Sequence, residues 1–261
     1  MPDIDSRLTR MTALRREGRH AEALPLLLQL FADAGRVVNP ARSSYFIPML
    51  EWKFLAEAYA PAYTALQLER DAQIRLLLSG ERDFGRHDSS VPPASNASGR
   101  VSRFSLIVEM NETLGDVHST ADLFARLDAS APELARRHAW QALPAVVETG
   151  NFALAERYRC RAPLAQLETV NALAASQPLL PAPGTAPRLA AELTNLVKEV
   201  WIAAAVLRGQ EQAAEADALC AALLAGLAND AMRALARREL DAPGSITAVI
   251  VKRQMEQEPQ A

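Results

Sequence analysis

Glycine is scarce in this chain, with eleven in 261 residues against a usual share of about 7%. Aromatic residues are few, at 5%, and β-branched residues form a single run, Ile246-Thr247-Ala248-Val249-Ile250-Val251. So little strand-forming sequence leaves no basis for a sandwich or barrel of short strands. Cys160 and Cys220 are the two cysteines and lie far apart in helical runs. That pattern argues against a disulfide framework and for reduced thiols in a cytoplasmic protein. Basic charge is not in excess: the net charge is −3 and the pI near 5.9. No electrostatic footprint for nucleic acid or for an anionic membrane follows from it. Long apolar runs are missing too. The most apolar stretch, 201–207, follows Lys198 and Glu199 too closely to cross a bilayer, and the opening Met1-Pro2-Asp3-Ile4-Asp5-Ser6 does not read as a secretory leader.

What the chain has in quantity is alanine and leucine, about a third of all residues. Both lose little side-chain freedom in a helix, so the expected fold is all-α. Reading caps, glycines and prolines as boundaries gives about twelve helices, mostly joined as short antiparallel pairs. Gly18, Gly35 and Gly80 stop helices in the first part of the chain. Pro144 and Pro163 lie inside the helices expected over 132–149 and 152–175, where each removes a backbone donor and calls for a kink or break. Two stretches hold too little apolar content to bury. One is 85–99, expected to be a mobile loop; the other is a Pro-rich insertion at 177–187. The long helices flanking both still need partners for their apolar faces, so residues 1–261 are expected to form one continuous helical domain.

A short signature recurs: a glycine, a bulky residue two positions on, and an alanine at five. It reads Gly150, Phe152 and Ala155, and appears again at Gly18-His20-Ala23 and Gly209-Glu211-Ala214. A complementary pattern, a large residue then leucine, a small residue and tyrosine, stands at Trp52, Leu55, Ala56 and Tyr59. Phe104, Ile107, Val108 and Asn111 repeat its first three positions and miss the fourth, and Gly115 to Gly150 spans one repeat length. With these features the chain resembles the tetratricopeptide-repeat (TPR) superfamily, whose unit is a helix pair of about 34 residues. The resemblance covers 1–84, 100–175 and 188–227, with no repeat carrying the whole pattern.

The resemblance implies a stacked α–α superhelix that binds a protein or peptide in its concave groove, with no cofactor and no catalysis. Its repeat frame places Lys53, Glu57, Ser105, Glu109, Glu112, Arg137 and Trp140 toward that groove; Trp140 fits a core position as well. Two other expectations come from different classes. Glu109, Glu112 and Asp116 lie about a helical turn apart with His118 close by, a set that suits a metal- or small-ligand-binding enzyme or sensor, or equally a solvated face with Asp116 capping the next helix. The Ala-rich helices at 211–240 suit close packing of two copies in a homodimer. Arg157 and Arg161 share a face of the expected helix and suit a carboxylate or phosphate, or pairing with nearby glutamates. The cations around Cys160 are expected to lower its thiol pKa. No histidine pair with metal-ligand spacing, phosphate loop or nucleophile elbow occurs.

Overall fold

The computed structural model describes residues 4–38, 42–86 and 101–255. Most of the expected mobile loop at 85–99 lies outside the described residues. Among those described there are thirteen helices and no strand, only two isolated bridges. The chain is all-α, as its composition requires. It divides into two compact units, 1–145 and 146–261.

The first unit holds α1 (Ile4–Arg16), α2 (His20–Ala34), α3 (Arg42–Ala58), α4 (Ala60–Leu78), α5 (Arg103–Leu114) and α6 (Val117–Ser130). Each packs against the next, and α1 also touches α3. Gly18 and Gly115 adopt left-handed φ values of 75° and 65°, the conformation glycine reaches without a Cβ penalty. The core gathers Met11, Leu27, Phe31, Trp52, Leu55, Leu66, Leu106 and Met110, all buried. Trp52 donates its Nε1–H to the Ala62 carbonyl at 3.0 Å, satisfying the one polar atom of a fully buried ring. Tyr59 meets the ring of His20, the residue standing in the bulky position after Gly18. Pro48 leaves α3 unbroken from Arg42 to Ala58.

Two buried arginines tie this unit together. Arg70 on α4 donates to Asn111 Oδ1 on α5 at 2.6 Å, to Asp116 Oδ2 at 2.8 Å and to Asp71 at 2.7 Å. Asn111 in turn donates to Thr120 on α6 at 2.9 Å. The position where the repeat pattern lacks its tyrosine is therefore filled by a buried amide joining three helices. Arg103, at the start of α5, donates to the carbonyls of Glu81 and Asp83 at 2.8 and 2.7 Å and to Gln73. Burial pulls its pKa below the ordinary arginine value, with Glu81 and Asp83 opposing.

The boundary between the units falls within α7 (Pro132–Glu148), which runs through Pro144. Of the kink or break expected there, the break does not occur; Leu143 and Val146 on either side are buried, and that burial outweighs one lost backbone bond. At Pro163 the expectation holds, and 152–175 splits into α8 (Phe152–Tyr158) and α9 (Leu167–Ala174).

In the second unit α10 (Arg188–Gly209) is the hub. It packs against α8, α9, α11 (Ala213–Gly226), α12 (Asp230–Asp241) and α13 (Ser245–Met255). Its core is Leu193, Val197 and Val200 with Leu223, Met232, Ala236 and Ile246. One part of the glycine signature needs correction. Gly209 does not supply the left-handed stop; Glu211 does, with φ of 64°. Gly209 instead lies against the Phe152 ring, so close that a Cβ would overlap it. Two polar side chains fix the turns of this unit. Asn171 clasps the α11–α12 junction through the Gly226 carbonyl and the Ala228 N–H. The buried Glu239 carboxylate accepts from Gly244 N, Ser245 Oγ and Ile246 N at the head of α13.

Candidate functional site

α3 carries more apolar residues than one face can bury. Tyr45, Met49, Trp52 and Leu55 point into the core, while Phe46, Leu50 and Phe54 remain 48%, 40% and 41% exposed. Those three stand at i, i+4 and i+8, one stripe down the outer face of a helix. Ile47 widens it. The stripe was missed as a site by sequence reasoning, although α3 being apolar on nearly every side was its signal, since a helix of that kind is either buried throughout or meets a partner. At one end, the Arg15 guanidinium sits 4.9 Å from the Phe54 ring centroid. Arg15 is held there by Glu51 at 2.5 Å, and Thr12 also donates to that carboxylate at 3.3 Å.

Beside the stripe, α3 and α5 enclose an open cleft of about 200 Å³. Its apolar part is Phe46, Met49 and Leu50; its polar part is Lys53, Glu109, Glu112 and Thr113. Three of the seven residues assigned to a groove are thus brought together here. Glu57 lies one turn beyond Lys53 on α3 and is exposed. Ser105 is turned toward α7, its Oγ donating to Gln141 Oε1 at 2.9 Å. Arg137 and Trp140 are exposed on α7 and are not among the residues lining the cleft. Trp140, 38% exposed, does not take the core position it also fitted.

The acidic set does not gather. Asp116 caps α6, accepting from Ser119 N at 3.0 Å and Ser119 Oγ at 2.6 Å, and pairs with Arg70. Burial works to raise its pKa and is outweighed by the hydrogen bonds from Ser119 and Arg70, so the carboxyl sits below its ordinary range. His118 is exposed. Among the described residues, no group of three His, Cys, Asp or Glu side chains is placed to hold a metal ion.

Two expectations around Cys160 are corrected. α8 ends at Tyr158, so Arg157 and Arg161 do not share a helix face. Glu156 binds Arg159 at 2.5 Å and also pairs with Arg161. The Cys160 thiol is raised above its ordinary pKa, first by partial burial and then by its hydrogen bond to Glu199, which together outweigh Arg159. A larger concavity of about 790 Å³ opens over Gly80, Asp83, Phe84 and Arg103. Of the three arginines in its lining, Arg82, Arg86 and Arg103, the Arg103 guanidinium is already bonded to backbone carbonyls and Gln73. It serves as a clasp between the α4–α5 connection and the head of α5.

Within this unit His138 on α7 stacks on Phe104, with ring centroids 4.7 Å apart, and meets Ser102 Oγ through Nε2 at 3.3 Å. Burial lowers its pKa. No helix among the described residues is long and apolar enough to cross a membrane. No protein-family model, curated protein or solved structure matches the chain.

Proposed function

We propose that this chain is a non-catalytic, cytoplasmic helical scaffold of TPR-like construction that binds a protein or peptide partner at the α3–α5 cleft. One observation carries the reading: an aromatic and aliphatic stripe left exposed beside a cleft with a mixed-charge lining. Single exposed apolar residues are ordinary on protein surfaces, but several in register on one helix mark an interaction face. Two features support the TPR-like construction. The helices of the first unit pack in chain order, and the Trp52 and Leu55 positions of the repeat pattern are fully buried.

The test compares partner capture by the full chain and by Leu50→Asp from a native lysate, with quantitative mass spectrometry as the readout. Leu50 is already half in water, so the aspartate leaves the helical circular dichroism intact. A partner held through the stripe is lost from the variant, since a truncated anchor at the centre of an interface costs about 2 kcal/mol or more. A partner set identical for both proteins sinks the proposal.

A further inference from the structure

We propose that the concavity over the α4–α5 connection binds a small organic phosphate, held by Arg82 and Arg86. None of its lining residues belongs to the α3–α5 cleft, so it stands or falls independently of the docking role.

The segment carrying these arginines is pinned although it forms no helix. Phe84 N donates to the Val101 carbonyl at 2.9 Å, and Arg103 N to the Arg82 carbonyl at 2.9 Å. Arg86 N donates to the Val37 carbonyl at 3.0 Å. Between these bonds the buried Phe84 ring packs on Phe31 and Tyr45, with centroids 5.2 and 6.0 Å away. A connection anchored in this way holds its side chains in place before a ligand arrives, which lowers the ordering cost of binding.

Charge selects an anion. The lining sets Arg82, Arg86 and Arg103 against Glu81 and Asp83. The Glu81 carboxylate lies 3.4 Å from the Arg103 guanidinium. Arg82 and Arg86 are exposed and make no ion pair among the described residues. Two guanidiniums therefore stand against the one remaining carboxylate, in a chain that is acidic overall. Arg103 adds a donor from below. It is 3% exposed, and its Nη1, which carries two hydrogens, makes one bond, to Gln73.

The number of forks selects phosphate. A carboxylate offers two oxygens, which one guanidinium fork satisfies, whereas a phosphate monoester offers three and nearly two negative charges. Two arginines on one pinned segment match the second. Size then calls for an organic body. The volume of about 790 Å³ falls in the range of roughly 300–1,000 Å³ that encloses a small molecule, and Leu76 and Phe84 supply an apolar wall.

The experiment titrates the full chain with phenyl phosphate, inorganic phosphate, benzoate and a phosphoserine peptide, by isothermal titration calorimetry. Phenyl phosphate is expected to bind one to one, at least about tenfold more tightly than inorganic phosphate or benzoate. Arg82→Gln with Arg86→Gln is expected to keep the helical circular dichroism and to weaken phenyl phosphate at least about tenfold. Arg86→Gln alone repeats that test should the pair fold poorly. Arg82→Lys with Arg86→Lys is expected to fall between, since an ammonium keeps the charge and loses the fork.

Absence of saturable phenyl phosphate binding overturns the site, as does binding that the glutamine variants leave unchanged. Benzoate bound as tightly overturns the choice of phosphate. Inorganic phosphate bound as tightly marks an adventitious ion only, and the organic ligand is wrong. A phosphoserine peptide bound at least about tenfold more tightly than phenyl phosphate makes a protein segment the occupant, and the inference fails.

Discussion

Replacing Asp116 by alanine separates a structural carboxylate from a ligand. Two contributions are removed together. The N-cap of α6 is one, and losing such a cap costs about 1 kcal/mol. The pair with Arg70 is the other. The Arg70 side chain is 8% exposed and that of Asp116 31%, so the pair lies between a surface bridge, worth about 0–1 kcal/mol, and a fully buried one, about 3–5 kcal/mol to break. Arg70 keeps Asp71 and Asn111, which holds this part to about 1–2 kcal/mol. The expected loss is about 2–3 kcal/mol. At about 2–4 °C per kcal/mol for a chain near this size, thermal denaturation should move down by about 5–10 °C. Asp116→Asn keeps a good capping side chain and gives up the charge, so it should fall between wild type and alanine. Differential scanning calorimetry with and without added zinc or magnesium checks both sides. Variants within about 0.5 kcal/mol of wild type refute the network. Stabilisation of wild type by stoichiometric metal, absent in Asp116→Ala, would establish the metal-binding alternative in its place.

Two further outcomes follow from the same geometry. Gly209→Ala forces the Phe152 ring to move; overpacking costs about 1–3 kcal/mol, and the gain in helix propensity returns at most about 1. Chemical denaturation should show a net loss that Phe152→Val partly restores, and no loss at all would refute the contact. His138 has a pKa lowered by burial, so its contribution to stability is full above the unfolded value near 6.5 and falls away as pH drops toward the folded one. Stability should therefore decline between pH 7 and 5 by up to about 1.4 kcal/mol per unit from this one site, and His138→Gln should flatten that part of the profile.

The fold class was legible because it is written in composition. Alanine and leucine set helices, and Gly18, Gly115 and Gly150 turned out left-handed where the spacing asked for a stop. Whether a proline ends a helix is less legible, since a missing donor is a local penalty and burial is a tertiary gain. Pro144 sits between buried residues and α7 continues, whereas Pro163 follows the exposed Arg161 and Ala162 and the helix divides. Spacing also misjudged electrostatics. The cations near Cys160 are sequence neighbours, but Glu156 takes Arg159 and Arg161 and the thiol turns to Glu199. Which of two groups a side chain faces is set by elements far along the chain.

The candidate site shows the same limit from the other direction. A repeat frame assigns the residues of a groove one helix at a time; Lys53, Glu109 and Glu112 line one cleft, because α3 and α5 are held at fixed rotations by buried anchors. Trp52 and Leu55 lock α3; Phe104, Ile107 and Asn111 lock α5. Each anchor fixes which residues half a turn away face outward. The frame cannot say that outward positions are apolar for a reason, because it counts them as surface. Phe46, Leu50 and Phe54 become informative only once the core has been filled without them. An apolar residue that the core rejects remains in water at a cost of about 25 cal/mol per Å² of exposed apolar surface. Three in register are that cost repeated along one line, which is the observation the proposed docking role rests on.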